Sequence, residues 1–275
     1  MVLFFYYKSS YISNLTYYFY LDESFILDFD PEPKAVLNPD YEKKDYHFPK
    51  KLLYAFIPPK SLRNFLKKYR HKVIGQFLSV SFSPKIYEVE IKNEKFTLCR
   101  APLGAPAATQ LLDWLIAYGV KQILAIGSAG VLTDIPENYF LIPTKAIRDE
   151  GTSFHYLPSS NFVDLKSSYL QEIENQMVEM HFKVKEVMTW STDGFFRETP
   201  AKVAQFKKLG ASTVEMECSA MAACAQFRHI NFAQILFTAD SLNDLNVHDD
   251  RGWGNNSHIR VMDLAANILI NLTDK

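Results

Sequence analysis

Residues 212–221 read Ser-Thr-Val-Glu-Met-Glu-Cys-Ser-Ala-Met, and this stretch determines how the rest of the chain is interpreted. A short β-type run changes here into a helix of small residues. Glu215 and Glu217 are two positions apart, so an extended backbone directs both carboxylates to the same side. A strand end that presents carboxylates and begins a closely packed helix is where an open α/β sheet binds its ligand. The stretch therefore predicts a ligand site at the carboxyl end of a strand.

The composition is that of a globular protein: 275 residues, 48% hydrophobic and 22% charged, with a formal net charge of -1. Without a basic block, the chain lacks the electrostatic footprint of a nucleic-acid-binding protein. No apolar run approaches the roughly 18 residues that span a bilayer, and the three cysteines lack metal-binding spacing. We therefore expect a cytoplasmic protein with no membrane span, no nucleic-acid partner and no bound metal.

Residues 1–50 are interpreted as an aromatic-rich N-terminal extension. Nine of the first twenty residues are Phe or Tyr. Lys8 follows the apolar run at 2–7 instead of preceding it, and no small-residue cleavage site comes after it, so we do not expect a secretory signal. Residues 17–20 and 25–27 predict short strands. An aromatic hairpin or a subunit contact is the expected role of this extension.

From residue 52 onward, strand-like runs alternate with helical periodicity. Strands are predicted at 52–57, 77–80, 86–91, 96–98, 120–127, 140–143, 146–147, 184–190 and 232–238. Helices are predicted at 61–70, 107–118, 165–180, 200–209 and 257–272, and another follows the opening stretch and ends at about residue 228. This alternation predicts an α/β fold in which one domain, residues 51–275, has a central mixed β-sheet flanked by helices.

Polar residues follow several of these strands. Residues 127–130, Gly-Ser-Ala-Gly, are predicted to form a loop in which Ser128 and nearby amides could cradle an anion, although such a sequence is often only a turn. Residues 148–156 contain His155 in a polar and aromatic mixture that suits a sugar or base pocket, or an ordered surface loop. In residues 190–198, Phe195 is either a face for a planar base or a core residue. Asp240 ends an apolar strand, as a general acid or a helix cap.

Together these residues resemble the nucleoside phosphorylase superfamily, which includes uridine phosphorylase, hexameric purine nucleoside phosphorylase and methylthioadenosine nucleosidase. The Val-Glu-Met-Glu run at 214–217 is similar to the most specific motif of that superfamily. Residues 127–130 and the pair Asp240-Ser241 follow in the expected order and spacing. The resemblance covers about residues 52–272 and implies the three-layer fold of that superfamily.

The resemblance also implies what the site residues do. Glu217 would hold the ribose hydroxyls and place negative charge near a developing ribosyl cation, with Met216 packing on the sugar and Glu215 helping to position it. Phe195 would stack on the base. Asp240 resembles the acid that protonates a purine leaving group, so it and Glu217 are the predicted catalytic residues.

The implied nucleophile is phosphate, bound as a co-substrate, with no other cofactor. Ser128 matches the hydroxyl that contacts phosphate, Gly127 lies beside it, and Arg100 could supply positive charge. In phosphorolytic relatives an arginine precedes the Ile-Gly of this segment, whereas this chain has Ala125. Water as the nucleophile is therefore the alternative, and a non-catalytic nucleoside-binding protein is the third.

The preferred base is left open by two opposing signals. Residues 151–156, which include His155, resemble the uridine phosphorylase branch, while Asp240 favours a purine. The resemblance further implies a homodimer or a homohexamer in which a neighbouring subunit completes the sugar site.

Overall fold

The computed structural model describes residues 24–273, in which one sheet of ten strands is accompanied by six α-helices. The strands are β1 (Lys51–Ala55), β2 (Arg70–Gln76), β3 (Lys85–Ile91), β4 (Glu94–Arg100), β5 (Gln122–Val131), β6 (Phe140–Asp149), β7 (Phe162–Asp164), β8 (Glu186–Thr192), β9 (Ala211–Glu215) and β10 (Asn231–Ser241). The helices are α1 (Pro59–Leu66), α2 (Ala105–Ala117), α3 (Ser168–Glu179), α4 (Pro200–Lys208), α5 (Cys218–Phe227) and α6 (His258–Asn271). No helix in the described range is long and apolar enough to cross a bilayer.

The sheet has an open wing and a closed part. In the wing, β1 runs parallel to both β4 and β5, and the antiparallel strands β3 and β2 follow β4. In the closed part, β5 pairs with β9 and β10, β10 pairs with β6, and β8 links β6 to β9. Five strands therefore close into a ring. The predicted α/β fold with a mixed sheet between helices is confirmed.

Alternation along the strands divides the core into two faces. In β5, Leu124 and Ile126 belong to the apolar cluster that contains residues of α1, α3 and α6. Ile123 and Ala125 belong to the cluster that contains residues of α2 and α5. Successive side chains of a strand point to opposite faces, so a sheet covered on both sides needs such continuous apolar runs.

The predicted loop at residues 127–130 is wrong, because these residues continue strand β5. Ser128 is paired with Phe237 of β10, and Gly130 is paired with Val214 of β9. Gly130 is required for a close approach: a Cβ atom there would lie 3.1 Å from Oδ1 of Asp240. These glycines thus lie within a strand, where they leave room for neighbouring side chains, and they do not form a turn.

Two other strand predictions are also wrong. Residues 77–80 belong to the connection between β2 and β3, and the strand itself is the preceding run Arg70–Gln76, which is mostly exposed and has no apolar periodicity. Residues 25–27 form a 3₁₀ turn, in which the Leu27 N–H donates to the Ser24 carbonyl. The strand predicted at 17–20 lies outside the described residues.

An aromatic cluster joins the residues before β1 to the body of the protein. Phe48 is 5% exposed, and its ring centroid lies 5.4 Å from those of Tyr46 and Trp114. Its backbone N–H donates to the Tyr118 carbonyl at 2.9 Å. This cluster fixes the entry into β1 against the end of α2.

We predict that Phe48→Ala lowers the free energy of unfolding by about 3–5 kcal/mol, the usual cost of truncating a buried aromatic side chain. Urea denaturation should show a lower midpoint with an unchanged m value. Phe25→Ala is the matched control, because Phe25 is 81% exposed. Equal midpoints for the two variants would contradict the packing described for Phe48.

Candidate active site

A cavity of about 340 Å³ opens where β5, β9 and β10 end. It brings together most of the site residues predicted from the sequence. Its lining includes Gly127, Ser128, Phe195, Glu215, Met216, Glu217 and Asp240. Residues separated by more than a hundred positions therefore share one concave site, which is the usual setting of a ligand pocket.

Glu215 ends β9 and organises the turn into α5. Its Oε2 atom accepts hydrogen bonds from the backbone N–H groups of Glu217 and Cys218, both at 2.7 Å. Its Oε1 atom accepts from the Ser191 hydroxyl at 2.5 Å. A carboxylate in this position satisfies N–H groups at the helix start that have no intrahelical partner. Glu215 thus fixes the backbone that carries Glu217.

Glu217 is 5% exposed and reaches across to the start of α2. Its Oε1 atom accepts a hydrogen bond from the Gly104 N–H at 2.6 Å. Gly104 has φ +93°, a conformation that residues with side chains rarely adopt. The partial positive charge at the start of α2 favours the ionised form of Glu217.

Burial raises the pKa values of both Glu215 and Glu217. For Glu217, the nearby Glu215 carboxylate raises the pKa further, while the Gly104 N–H lowers it. For Glu215, its hydrogen bonds to Ser191 and to the backbone of α5 oppose the effect of burial. The two groups lie in one low-dielectric region, so a positively charged or hydrogen-donating ligand would be strongly attracted there.

Asp240 occupies another part of the same cavity wall, near the end of β10. Its Oδ2 atom lies 2.8 Å from Nε2 of His248. Glu198 also lines the cavity, and its pKa is raised to about 7 by burial and by the Asp240 carboxylate, with His248 opposing. This end of the cavity can therefore hold a proton near neutral pH.

The other walls are apolar and aromatic. Phe195 and Phe196 contact each other edge to face with ring centroids 5.1 Å apart, and both line the cavity with Trp253. Phe195 is 43% exposed, so a face remains available to a planar ligand. Such a wall beside a carboxyl group suits a heterocyclic base that also accepts a proton.

The described lining has four carboxyl side chains and no lysine or arginine. Ala125, which precedes the Ile-Gly pair of β5, is fully buried. Its neighbour in register on β10 is Gln234, which lines the cavity and is 2% exposed. The Gln234 Oε1 atom has no hydrogen-bond partner. An unpaired buried acceptor is costly, so this position favours a ligand that donates a hydrogen bond.

The structure does not bring His155 or Arg100 into this cavity. His155 is exposed and lines a separate groove of about 840 Å³ near residues 26–41. Arg148 organises the segment that carries His155: it donates to the Ser153 hydroxyl at 2.8 Å and to two carbonyl groups. Arg100 ends β4 beside Ala55 and is not among the cavity residues. His155 therefore lies in the separate groove, and Arg100 lies in the open wing of the sheet.

Comparison with known proteins places the fold in a family. A family model described as the phosphorylase superfamily matches residues 62–275. The chain belongs to the phosphorylase superfamily. A DeoD-type purine nucleoside phosphorylase from Clostridium perfringens is 26% identical over 164 residues, which are 57% of this chain and 68% of the relative.

Solved structures share the fold of this superfamily member. A uridine phosphorylase from Vibrio fischeri has a TM-score of 0.69 at 20% identity, covering 82% of this chain and 93% of the other. A 5'-methylthioadenosine/S-adenosyl homocysteine nucleosidase from Campylobacter jejuni has a TM-score of 0.66 at 16% identity, covering 81% and 99%. Both a phosphorylase and a nucleosidase thus have this architecture.

Some residues in or beside the cavity of this superfamily member are not apparent as site residues from the sequence. Glu198 ends a segment in which Phe195 carries the stronger signal. Gln234 is the one amide in the apolar run at 232–238, and that contrast could have marked it. His248 and Trp253 lie in a polar stretch without periodicity. Only the folded structure shows that they lie near the end of β10.

We predict that the stability difference between Glu198→Gln and the native protein depends on pH. The Glu198 pKa is about 7 in the folded protein and ordinarily 4.5, so the folded state binds this proton more tightly. Its stabilising contribution is complete below about pH 4.5 and is lost as the pH rises to about 7. A glutamine stays neutral, so the melting temperature of the variant relative to the native protein should be higher at pH 8 than at pH 5.

The control for this measurement is Glu137→Gln, since Glu137 is exposed and does not line the cavity. A Glu198→Gln difference that is the same at both pH values, like that of the control, would show that Glu198 is not buried beside Asp240.

Proposed function

We propose that the protein cleaves the N-glycosidic bond of a purine ribonucleoside. The observation that carries this proposal is that Glu217 and Asp240 line one cavity together with the aromatic face of Phe195. One carboxylate can act on the sugar and the other carboxyl group on the base. Family membership supports the same class of reaction.

At the sugar, Glu217 would accept hydrogen bonds from the ribose hydroxyls. Cleavage passes through an oxocarbenium-like ribosyl cation. A buried carboxylate, already oriented by the Gly104 N–H, stabilises that cation more than it stabilises the neutral substrate. Hydroxyl donors also offset the cost of ionising Glu217 in a buried site. Met216, which lines the cavity beside it, would pack against the sugar.

At the base, Phe195 would stack against the heterocycle while Asp240 protonates the purine at N7. Protonation makes the purine a neutral leaving group as the bond to C1′ breaks. Burial and the nearby Asp240 carboxylate raise the pKa of Glu198 to about 7. Glu198 is therefore partly protonated near neutral pH, and a proton is available at this end of the cavity. A pyrimidine has no N7 atom, which is why this arrangement favours a purine.

For the nucleophile, the geometry favours water. A phosphate dianion would enter a lining that has four carboxyl groups and no lysine or arginine among the described residues. The unpaired Oε1 atom of Gln234, beside Ala125, can instead accept a hydrogen bond from water. Phosphate remains the second candidate, with Ser128 as its contact, because the Clostridium perfringens relative is named as a phosphorylase.

The reaction test uses inosine, adenosine, methylthioadenosine and uridine, each with and without inorganic phosphate. Free ribose, or its methylthio derivative, released from the purine nucleosides at the same rate in both conditions supports water. Ribose 1-phosphate formed only when phosphate is present overturns water and supports phosphate. No release of base from any nucleoside overturns the enzymatic proposal and leaves the non-catalytic binding protein.

The two glutamates of the Glu-Met-Glu run should respond differently to the same substitution. We expect Glu217→Gln to lower kcat by roughly 100-fold or more, because it removes charge that acts on the transition state. Its melting temperature should change little. Glu215→Gln should instead lower the free energy of unfolding by about 1–3 kcal/mol, because an amide cannot accept every hydrogen bond that this carboxylate accepts.

Steady-state kinetics and thermal unfolding of both variants check this division, and each variant is the control for the other. An unchanged kcat in Glu217→Gln would remove this carboxylate from the reaction. A Glu215→Gln variant as stable as the native protein would contradict its role at the start of α5.

A further inference from the structure

We propose that His248 is a proton relay, which passes protons from solvent to the Asp240 carboxyl group at the base end of the cavity. This inference rests on the proposed cleavage of a purine nucleoside. It adds a residue that does not line the cavity itself and acts only through Asp240.

The contact between the two side chains is direct and connects a buried group to an exposed one. His248 Nε2 lies 2.8 Å from Asp240 Oδ2. The Asp240 side chain is 10% exposed, whereas the His248 side chain is 47% exposed. Asp240 loses a proton in every turnover and is shielded from water, so it needs a group that reaches solvent. An imidazole can accept a proton at one ring nitrogen while donating from the other near neutral pH.

A backbone bridge and an aromatic ring hold His248 in this position. The next residue, Asp249, forms a two-way backbone bridge with Ser241: the Ser241 N–H donates to the Asp249 carbonyl at 2.8 Å, and the Asp249 N–H donates back at 3.2 Å. The ring of Trp253, itself a cavity residue, lies 5.5 Å from the His248 ring. A loop that leaves β10 is thus folded back so that its histidine meets the end of the same strand.

Several ionisable side chains surround His248. Asp240 faces it from β10, and Glu198 faces it from the segment before α4. On its own segment, Asp249 is engaged by Arg251, whose guanidinium also donates to the Ile135 carbonyl at 2.8 Å. Among the described residues, His248 supplies the ring nitrogen that directly contacts the Asp240 carboxyl group.

The proton steps balance. As the bond between C1′ and N9 breaks, its electron pair goes to the purine, and N7 takes the proton of the Asp240 carboxyl group. The Asp240 carboxylate then takes the Nε2 proton of the neutral His248 imidazole, while Nδ1, which carries no proton in that tautomer, takes one from solvent. Proton exchange of the half-exposed ring with solvent restores the Nε2–H tautomer. Water forms the new bond to C1′ and releases one proton, so the complete hydrolysis neither consumes nor produces a proton at the enzyme.

The test compares two leaving groups in the native enzyme and in His248→Gln. Inosine needs protonation of its base, whereas p-nitrophenyl riboside releases a stable phenolate that does not. We expect kcat for inosine to fall at least 10-fold, within the range of general acid catalysis, and kcat for the nitrophenyl riboside to fall far less.

A second variant, His248→Ala, tests the same role by chemical rescue. Because the native side chain is half exposed, added imidazole can reach the space it leaves, and it should restore part of the inosine activity. His47→Gln is the matched control: His47 is an exposed histidine beside Asp45 that does not line the cavity, and its loss should change neither rate.

The outcomes separate the two proposals. Equal losses on inosine and the nitrophenyl riboside, or no loss on either, would overturn the relay while leaving nucleoside cleavage in place. The absence of rescue by imidazole in a folded His248→Ala variant would also overturn it. If the native enzyme cleaves neither substrate, the proposed function fails and the relay fails with it.

Discussion

The hydrogen bonds of the buried Glu215 carboxylate determine the shape of the whole site. Four donors converge on this group: the Thr189 and Ser191 hydroxyls from β8 and the two N–H groups that begin α5. Because every donor is buried, losing the acceptor would leave unpaired polar groups in the core. The strand β9 must therefore end, and α5 must begin, in the one geometry that turns Glu217 toward α2. The small residues of α5 then allow the helix to pack closely on the sheet, and most of them are fully buried.

The described lining of the resulting cavity has four carboxyl groups and no lysine or arginine. We propose that these groups are divided between a sugar end, at Glu217, and a base end, where Asp240 and Glu198 lie close together. The first end is suited to a developing cation, and the second can keep a proton. This separation of roles between similar groups is how one site carries out acid and electrostatic catalysis at the same pH. Because the described lining has no lysine or arginine, a neutral nucleophile is more favourable there than a phosphate dianion.

The sequence predicts the fold class, and most of the site residues that it predicts lie in the cavity, because both depend on local signals. The Glu-Met-Glu run predicts a strand end, and the alternation of apolar strand-like runs with helices predicts a sheet covered by helices. What it misses depends on long-range pairing: residues 127–130 look like a turn until β9 and β10 are known to flank them. His155 lies in a segment with polar composition, but the hydrogen bonds of Arg148 organise that segment so that His155 lies in a different groove. His248 reaches Asp240 only through a backbone bridge between Ser241 and Asp249.

A crystal structure with a bound purine C-nucleoside, which cannot be cleaved, tests the central claim most directly. The account predicts that a ribose hydroxyl lies about 2.6–3.2 Å from the Glu217 carboxylate, with the base against Phe195 and its N7 side toward Asp240. A nucleoside bound in the groove that contains His155, or in the cavity without contact to Glu217, would contradict it.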